Sequence, residues 1–207
     1  MSAGGTTKLV GELHGRIVHG RRIAVLAKHI AGMIPPGSRL LDVGCGDGTL
    51  AAVLAQLVPG LNVQGVEVRA RPSCAVECQL YDGQHLPFPD NSVDVCLFVD
   101  VLHHMLDPEP ILRDARRVSR EYILIKDHLA ESPFDHLTLR FMDWVGNRPH
   151  GVTLPYHYLS QARWDDLYRA VGLVVVMTER SVPLYPAPFS LLFGRGLHFI
   201  SLLRKAS

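Results

Sequence analysis

The chain has 207 residues, 47% hydrophobic and 20% charged, which is typical of one globular domain and too apolar for a disordered chain. Its 21 Lys and Arg residues against 20 Asp and Glu residues argue against a protein that grips a nucleic-acid backbone. Four cysteines are too few for a secreted disulfide scaffold, no signal peptide pattern is visible, and no apolar run reaches the roughly 18 residues of a membrane span. We therefore predict a single cytoplasmic domain over 1–207, with no nucleic-acid partner and no stable membrane insertion.

The spacing of apolar residues predicts strands that alternate with helices. A first helix is expected over 11–34, where Ile23, Leu26 and Ile30 recur on one face before Pro35-Pro36-Gly37 ends it. The predicted strands are 39–43, 62–68, 75–81, 93–99, 122–125, 173–177 and 197–203, and further helices are predicted to begin near 50, 108, 133 and 160. Such alternation favours a parallel sheet with helices on both faces.

The strongest motif lies at the end of the first predicted strand. Residues 40–48 have the sequence LLDVGCGDG, in which a strand runs into three alternating glycines and then into a helix. Glycines let a ligand approach the backbone, and the start of a helix offers unpaired N–H groups. Glu67 ends the second strand 19 residues after Gly48, a distance at which a carboxylate can accept hydrogen bonds from ribose hydroxyls. The motif predicts a nucleoside-containing ligand.

A nicotinamide-dependent oxidoreductase also carries a glycine loop and an acid, but its G-x-G-x-x-G pattern needs a glycine where this chain has Thr49. The G-x-G-x-G pattern here, preceded by Asp42, resembles motif I of the class I S-adenosylmethionine (SAM)-dependent methyltransferases, in particular the UbiE-like, type 11 group. The resemblance implies SAM as the cofactor and Glu67 as the residue that holds its ribose. The other residues that it implies around this part of the cofactor are Asp42, Gly44, Cys45, Gly46 and Val68.

Two later stretches resemble the same family. Residues 82–94 (DGQHLPFPDNSVD) resemble its D-A-x-x-L-P-F-x-D-x-S-F-D segment, which implies that Asp82 and the Gly83 N–H contact the adenine. Residues 98–104 (FVDVLHH) resemble its V-L-H-H stretch, which implies that the carbonyl of Val99 accepts from the methionine ammonium. The fold implied is α/β, a Rossmann-like three-layer sandwich whose seven-stranded, mostly parallel sheet has the order 3-2-1-4-5-7-6 and an antiparallel last strand.

The acceptor side is predicted from the ends of the fourth and fifth strands, because open α/β sheets bind ligands at the carboxyl ends of their strands. His104, Asp127 and His128 are candidate catalytic groups there. The segment 127–160 lies outside the shared core and is predicted to be an inserted substrate lid, and 1–36 is predicted to be a helical cover. The candidate pocket residues are His103, Trp144, His150, Tyr156 and Tyr158. Capping or packing remains the alternative role for each histidine.

The sequence also indicates which kind of acceptor the enzyme methylates. The stretch after the fourth strand differs from the N/D-P-P-Y tetrad of enzymes that methylate nucleobase amino groups, so a small-molecule or lipid-like acceptor is predicted. No metal is expected, since Asp100, Asp127 and His128 have no recognisable ligand spacing and Cys74-x-x-x-Cys78 lacks a second pair. The alternatives left open are a nicotinamide oxidoreductase and a SAM-binding protein without catalysis. The methyl-accepting atom and the oligomeric state are also left open.

Overall fold

A seven-stranded sheet forms the centre of the computed structural model, which describes residues 20–147, 156–185, 190–194 and 196–206. The strands are β1 (Arg39–Val43), β2 (Asn62–Glu67), β3 (Glu77–Leu80), β4 (Val93–Val99), β5 (Ser119–His128), β6 (Leu173–Glu179) and β7 (His198–Lys205). Their order is β3-β2-β1-β4-β5-β7-β6, with β7 antiparallel to both of its neighbours and the other pairs parallel. The predicted strand order and the antiparallel last strand are confirmed.

Helices cover both faces of this sheet. They are α1 (20–31), α2 (Thr49–Leu57), α3 (Glu109–Val118), α4 (Pro133–Asn147), α5 (Gln161–Val171) and the short α6 (Ser190–Phe193). Because side chains alternate across a strand, Leu40 faces an apolar cluster with α1 and α2, whereas Leu41 faces a cluster with α3 and α5. The two clusters on opposite faces produce the three layers that the sequence resemblance implied. Within the described part of the chain, none of the helices combines the length and apolar character needed to cross a bilayer.

The fifth strand is longer than the sequence predicts, with consequences for the site. Its prediction covered only 122–125, whereas β5 runs from Ser119 to His128. The extension forms because β5 has partners on both sides: Val99 of β4 pairs with Lys126, and His198 of β7 pairs with His128. Asp127 and His128 therefore belong to the strand itself, rather than following it as predicted, and both are buried.

The segment after β5 forms a helix, as the sequence predicts, and packs through a small apolar cluster of its own. Leu139 of α4 is buried there together with Ala130, Tyr158 and Leu197. The outward face of α4 carries exposed apolar side chains, which are Phe134, Leu137, Phe141 and Trp144. The predictions on His150, on residues 1–19 and on part of the loop before Tyr156 lie outside the described residues.

Candidate active site

Two adjoining cavities open at the carboxyl ends of the parallel strands. The Glu67 cavity has a volume of about 450 Å³ and is lined by Gly44, Gly46, Glu67, Val68, Arg69, Arg71, Tyr81, Gly83, Asp100, Val101, His104 and Met105. The histidine cavity has a volume of about 490 Å³, and its lining includes Arg22, Asp42, Cys45, Val99, His103, His128, Met142, Asp143, Tyr185 and His198. Five residues line both cavities, which are Gly44, Gly46, Arg71, Asp100 and His104. The site is thus a two-part pocket that meets at the glycine loop and His104.

The glycine loop and Glu67 hold each other in place through backbone hydrogen bonds. The N–H groups of Gly44 and Cys45 donate to the carbonyl of Val66 at 2.8 and 3.2 Å. The N–H of Gly46 donates to Oε2 of Glu67 at 3.0 Å, and the N–H of Val68 donates to Oε1 of the same carboxylate at 2.8 Å. Glu67 is consequently fixed beside the loop at the end of β2, where the sequence motif placed it.

Gly46 leaves room for a ligand next to the backbone. Its φ of +60° lies in the left-handed region, and an added Cβ would meet no described atom within 4 Å. The space that a side chain would fill is therefore part of the cavity. A nucleoside and an amino-acid tail, the two halves of SAM, fit a two-part pocket with such a loop between its halves.

The structure places eight of the nine predicted cofactor residues in the cavity linings. Asp42 is buried against the histidine cavity, and burial, with a contribution from Glu67, raises its pKa to about 7. Val68 and Gly83 line the Glu67 cavity, and their contacts with the cofactor stay predictions. The exception is Asp82, whose side chain is 59% exposed and whose Oδ1 accepts the N–H groups of Gln84 and His85 at 2.7 Å. Its predicted contact with adenine stays a prediction.

His103 and Asp127 form a buried pair below the histidine cavity. Nδ1 of His103 donates to Oδ1 of Asp127 at 2.7 Å, and the same carboxylate accepts the N–H groups of Leu102 at 3.0 Å and His128 at 2.7 Å. Burial lowers the pKa of His103, but the charge of Asp127 outweighs burial and raises it. Asp127 is not one of the residues that line either cavity, and its carboxylate contacts His103 instead.

His104 occupies the junction of the two cavities. It ends a single 3-10 turn (Leu102–His104) directly after β4, and its Nδ1 is buried without a hydrogen-bond partner among the described residues. Burial and the neighbouring His103 lower the pKa of His104 to about 4. Its imidazole is therefore neutral at pH 7 and can accept a proton from a ligand.

Arg22, Asp100 and Lys126 form an ion-pair cluster that sequence analysis did not assign to the site. Both cations pair with the carboxylate of Asp100, which adopts a left-handed φ of +55° just after β4. Burial raises the pKa of Asp100, but Lys126 and Arg22 outweigh burial and hold it well below its usual range. The sequence signal available was that Lys126 directly follows the apolar run 122–125, and the structure shows that its side chain is fully buried.

The same region brings together groups that the sequence spacing kept apart. One ligand atom each from Asp100, His103, Asp127 and His128 lies within 4.8 Å of the others, a geometry that could hold a metal ion. Asp100, however, already pairs with two cations, and Asp127 accepts three N–H groups. The charges are therefore balanced within the protein, and the absence of a metal stays a prediction.

The predicted acceptor residues divide into two groups. His103 lines the histidine cavity, and Tyr158 packs behind it with ring centroids 5.9 Å apart and its hydroxyl donating to Oδ2 of Asp143 at 2.5 Å. Tyr156 instead lies beneath the guanidinium of Arg140, and Trp144 points outward with 47% of its surface exposed. The structure gathers other side chains at the cavity in their place, which are Met142, Asp143, Tyr185 and His198.

The strand order and the glycine loop with its acidic partner define a class I SAM-dependent methyltransferase. A protein-family model described as "Methyltransferase domain" matches residues 16–178, which is more than half of the chain. The chain therefore belongs to this methyltransferase family, and S-adenosylmethionine is its cofactor.

Curated relatives share part of the chain at modest identity. The 27-O-demethylrifamycin SV methyltransferase of Amycolatopsis mediterranei is 36% identical over 109 residues, covering 46% of this chain and 40% of the relative. An O-methyltransferase of Penicillium expansum is 35% identical over 111 residues, covering 47% and 40% respectively. The matches thus span less than half of the length of these two relatives.

Solved structures agree on the fold. A SAM-dependent methyltransferase of Thermotoga maritima matches with a TM-score of 0.65 and 22% identity, covering 96% of this chain and 97% of that protein. A SAM-dependent methyltransferase of Aquifex aeolicus matches with a TM-score of 0.60 and 16% identity, covering 87% and 89%. At these identities the likeness supports the fold alone.

Proposed function

We propose that this methyltransferase transfers the methyl group of SAM to a hydroxyl oxygen of a small, largely apolar molecule, with His104 as the proton acceptor. The observation that carries the proposal is the position of His104, which lines both cavities. If the cofactor spans the two cavities, its reactive centre lies near their junction. A neutral imidazole at that point has a lone pair that can take up the proton, although its pKa of about 4 makes it a weak base at neutral pH.

The cofactor assignment follows the polar groups of each cavity. In the Glu67 cavity, the Glu67 carboxylate would accept from the ribose hydroxyls, with Tyr81 and Gly83 beside the nucleoside. In the histidine cavity, Asp42 and Val99 would face the amino-acid tail. Arg22 lies on α1 over the same cavity, which supports the proposed role of the first helix as a cover.

His104 has the protonation state that attack by a hydroxyl requires. SAM supplies a methyl group on a positively charged sulfur, so the acceptor oxygen gains the carbon as the carbon–sulfur bond breaks. The proton of the hydroxyl passes to His104, which is neutral above a pH of about 4. His103 is less suited to this step, because Asp127 occupies its Nδ1 and Asp143 lies 3.5 Å from its Nε2. His128 and Asp127 are deeper and support the geometry.

Two observations favour a hydroxyl on a small molecule. Met142 and Tyr185 line the histidine cavity beside many charged and polar groups, so the cavity offers an apolar wall for part of a small molecule. In addition, the names of the Amycolatopsis and Penicillium relatives specify transfer to oxygen.

The test compares His104→Gln with His29→Gln in a screen of labelled methyl transfer from SAM to a metabolite extract. His29 lies on α1 and pairs with Glu179 at 2.9 Å, so it is a histidine control outside the cavity linings. We expect the wild type to form labelled O-methyl products. His104→Gln should lose about 10²-fold in turnover, as for a lost general base, and its SAM affinity should stay within about twofold of the wild-type value. Label only in nitrogen, RNA or protein, or full turnover by His104→Gln, would contradict the proposal.

We also propose that the part of the predicted segment 127–160 that follows β5 forms the substrate lid. Met142 and Asp143 of α4 line the histidine cavity, and Tyr158 packs against His103. Met142→Ala should raise KM for the acceptor at least about fivefold with unchanged SAM affinity, because an apolar wall of the pocket is lost. The neighbouring Phe141, 54% exposed, provides the control Phe141→Ala. Equal acceptor KM values in the two variants would argue against a lid.

A further inference from the structure

Three cysteines from separate parts of the chain converge behind the glycine loop. Cys45 belongs to the loop, Cys74 precedes β3 and Cys78 lies within β3. Sγ of Cys45 is 3.5 Å from Sγ of Cys78, and the three sulfur atoms all lie within 4.8 Å of one another. The spacing Cys74-x-x-x-Cys78 predicted ordinary thiols, because the third sulfur is 29 residues earlier in the sequence.

Two glycines provide the space that the sulfur atoms occupy. A Cβ added at Gly65 would lie 2.5 Å from Sγ of Cys45, and one added at Gly48 would lie 2.7 Å from Sγ of Cys74. Even an alanine at either position would displace a sulfur atom. Two of the three sulfur atoms therefore occupy space that only a glycine leaves free. This close fit indicates a specific cluster of cysteines and not three small residues that happen to lie near one another.

We propose that Cys45, Cys74 and Cys78 form a three-thiolate site for a thiophilic divalent cation such as Zn²⁺. Zinc–sulfur bonds of about 2.3 Å place sulfur atoms roughly 3.8–4.0 Å apart, close to the separations found here. Binding exchanges three thiol protons for one cation, and water or an external donor completes a tetrahedral site. Burial raises the pKa of the Cys45 and Cys78 thiols, and the nearby Asp42 and Glu67 raise it further, so the cation must displace thiol protons when it binds.

Occupancy of this site would connect the cofactor loop to β3. The Cys45 N–H is hydrogen-bonded to Val66 of β2, and Gly46 next to it donates to Glu67. A cation on Cys45, Cys74 and Cys78 would tie the rear of the loop to the neighbouring strand. The ion would bind on the side of Cys45 that faces Gly65 and Cys78, and no step of the proposed methyl transfer uses it.

The experiment titrates the full-length, reduced protein with Cd²⁺ as a spectroscopic probe, followed by competition with Zn²⁺. Each thiolate bound to cadmium contributes a near-ultraviolet charge-transfer band. We expect one equivalent to bind with the intensity of three thiolates, because three sulfurs converge. Cys74→Ser, at a half-buried position, should lose about one third of the band and at least about tenfold in affinity, which is roughly 1.4 kcal/mol.

Cys96→Ala is the matched control, since Cys96 is the fourth cysteine and lies in β4 with its sulfur against the carbonyl of Ala115. It should bind Cd²⁺ like the wild type, and Cys78→Ser replaces Cys74→Ser if the latter fails to fold. The proposal is overturned if the wild type shows no saturable Cd²⁺ binding, or if Cys74→Ser and Cys96→Ala lose equal Cd²⁺ affinity. It is also overturned if glutathione disulfide forms a Cys45–Cys78 disulfide while Zn²⁺ is present. SAM binding by the same samples is read separately, so a failure here leaves the proposed function standing.

Discussion

The Glu67 cavity and the histidine cavity lie side by side and share Gly46 and His104, yet different contacts build them. On the Glu67 side, backbone N–H groups of a short loop hold one carboxylate at the end of the adjacent strand. The residues involved are close in sequence or follow neighbouring strands. The geometry of such a site depends mainly on the shape of the backbone, and few particular side chains are needed to form it.

On the histidine side, charged side chains from distant parts of the chain meet below the cavity. Asp100 after β4 pairs with Arg22 of α1 and Lys126 of β5, and His198 of β7 lies 3.4 Å from Lys126. Each buried charge there is paired with an opposite charge. If one partner is removed, the other remains buried without a counter-charge, which is strongly destabilising. We therefore expect changes on this side to affect stability, and changes on the Glu67 side to affect mainly the cofactor.

The largest effect is expected from Asp127→Ala. The variant leaves His103 without its carboxylate and removes the acceptor of two backbone N–H groups, which should lower the free energy of unfolding by about 3–5 kcal/mol. The control is Asp166→Ala, because Asp166 pairs with Arg169 on the surface and should contribute less than about 1 kcal/mol. Urea denaturation at pH 7 measures the free energy of unfolding of both variants. Similar decreases in the two variants would show that the buried network contributes no more to stability than a surface ion pair.

Gly46→Val should abolish cofactor binding with a smaller effect on the fold. A valine would occupy the ligand space and disfavour the φ of +60°, so SAM affinity should fall by more than about a hundredfold, roughly 3 kcal/mol. Gly37→Val is the matched control, since Gly37 has a φ of +75° and an added Cβ there also meets no described atom within 4 Å. Calorimetry should show normal SAM binding in the control. If both variants lose SAM binding, backbone strain and not a filled ligand space is the cause.

Glu67→Ala should reduce SAM affinity at least tenfold while the protein remains folded. The carboxylate is proposed to accept two ribose hydroxyls, and charge-assisted hydrogen bonds contribute about 1.5–3 kcal/mol each. Glu77→Ala, on the neighbouring strand β3, removes an exposed carboxylate and should bind SAM normally. Calorimetry on the two variants decides the role of Glu67, which is disproved by unchanged affinity.

The smallest effect concerns pH. The pKa of His104 is about 4 in the folded protein and about 6.5 when unfolded, so the unfolded chain binds the proton first as the pH falls. The contribution of neutral His104 to the free energy of unfolding is fully present above pH 6.5 and is lost as the pH falls from 6.5 to 4. At pH 5.5 the loss is about 1 kcal/mol. Urea denaturation at pH 7.5 and 5.5 should show a smaller acid loss in His104→Gln than in the wild type. An equal loss would place the titration elsewhere.

His103 acts in the opposite direction and must be separated from this effect. Asp127 raises the pKa of His103 above its unfolded value, so its stabilisation is present below pH 6.5 and is lost as the pH rises through the folded pKa. The comparison of wild type with His104→Gln removes this shared contribution, because both proteins retain the His103–Asp127 pair.

The sequence by itself predicted the fold, which is confirmed, and the glycine loop and Glu67 that the structure places at the cavities. Alternating apolar patterns located the seven strands, and the loop 44–48 with Glu67 could be recognised because its residues are adjacent or separated by one crossover. The sequence also identified His104 as a candidate base. It placed Asp127 and His128 after the fifth strand, because pairing with β7, which extends β5, involves residues about 70 positions away.

Only the tertiary structure decided the acceptor side and the cysteine cluster. Lys126 pairs with Asp100, 26 residues away, and Asp100 in turn pairs with Arg22, which is 78 residues from it. Tyr156 and Trp144 were predicted for the pocket from their aromatic character, but the direction in which α4 presents its faces turns Trp144 outward and brings Met142 to the cavity. Local patterns specify backbone shape, whereas the meeting of distant side chains depends on how strands and helices pack, and that information is not contained in any short stretch of the chain.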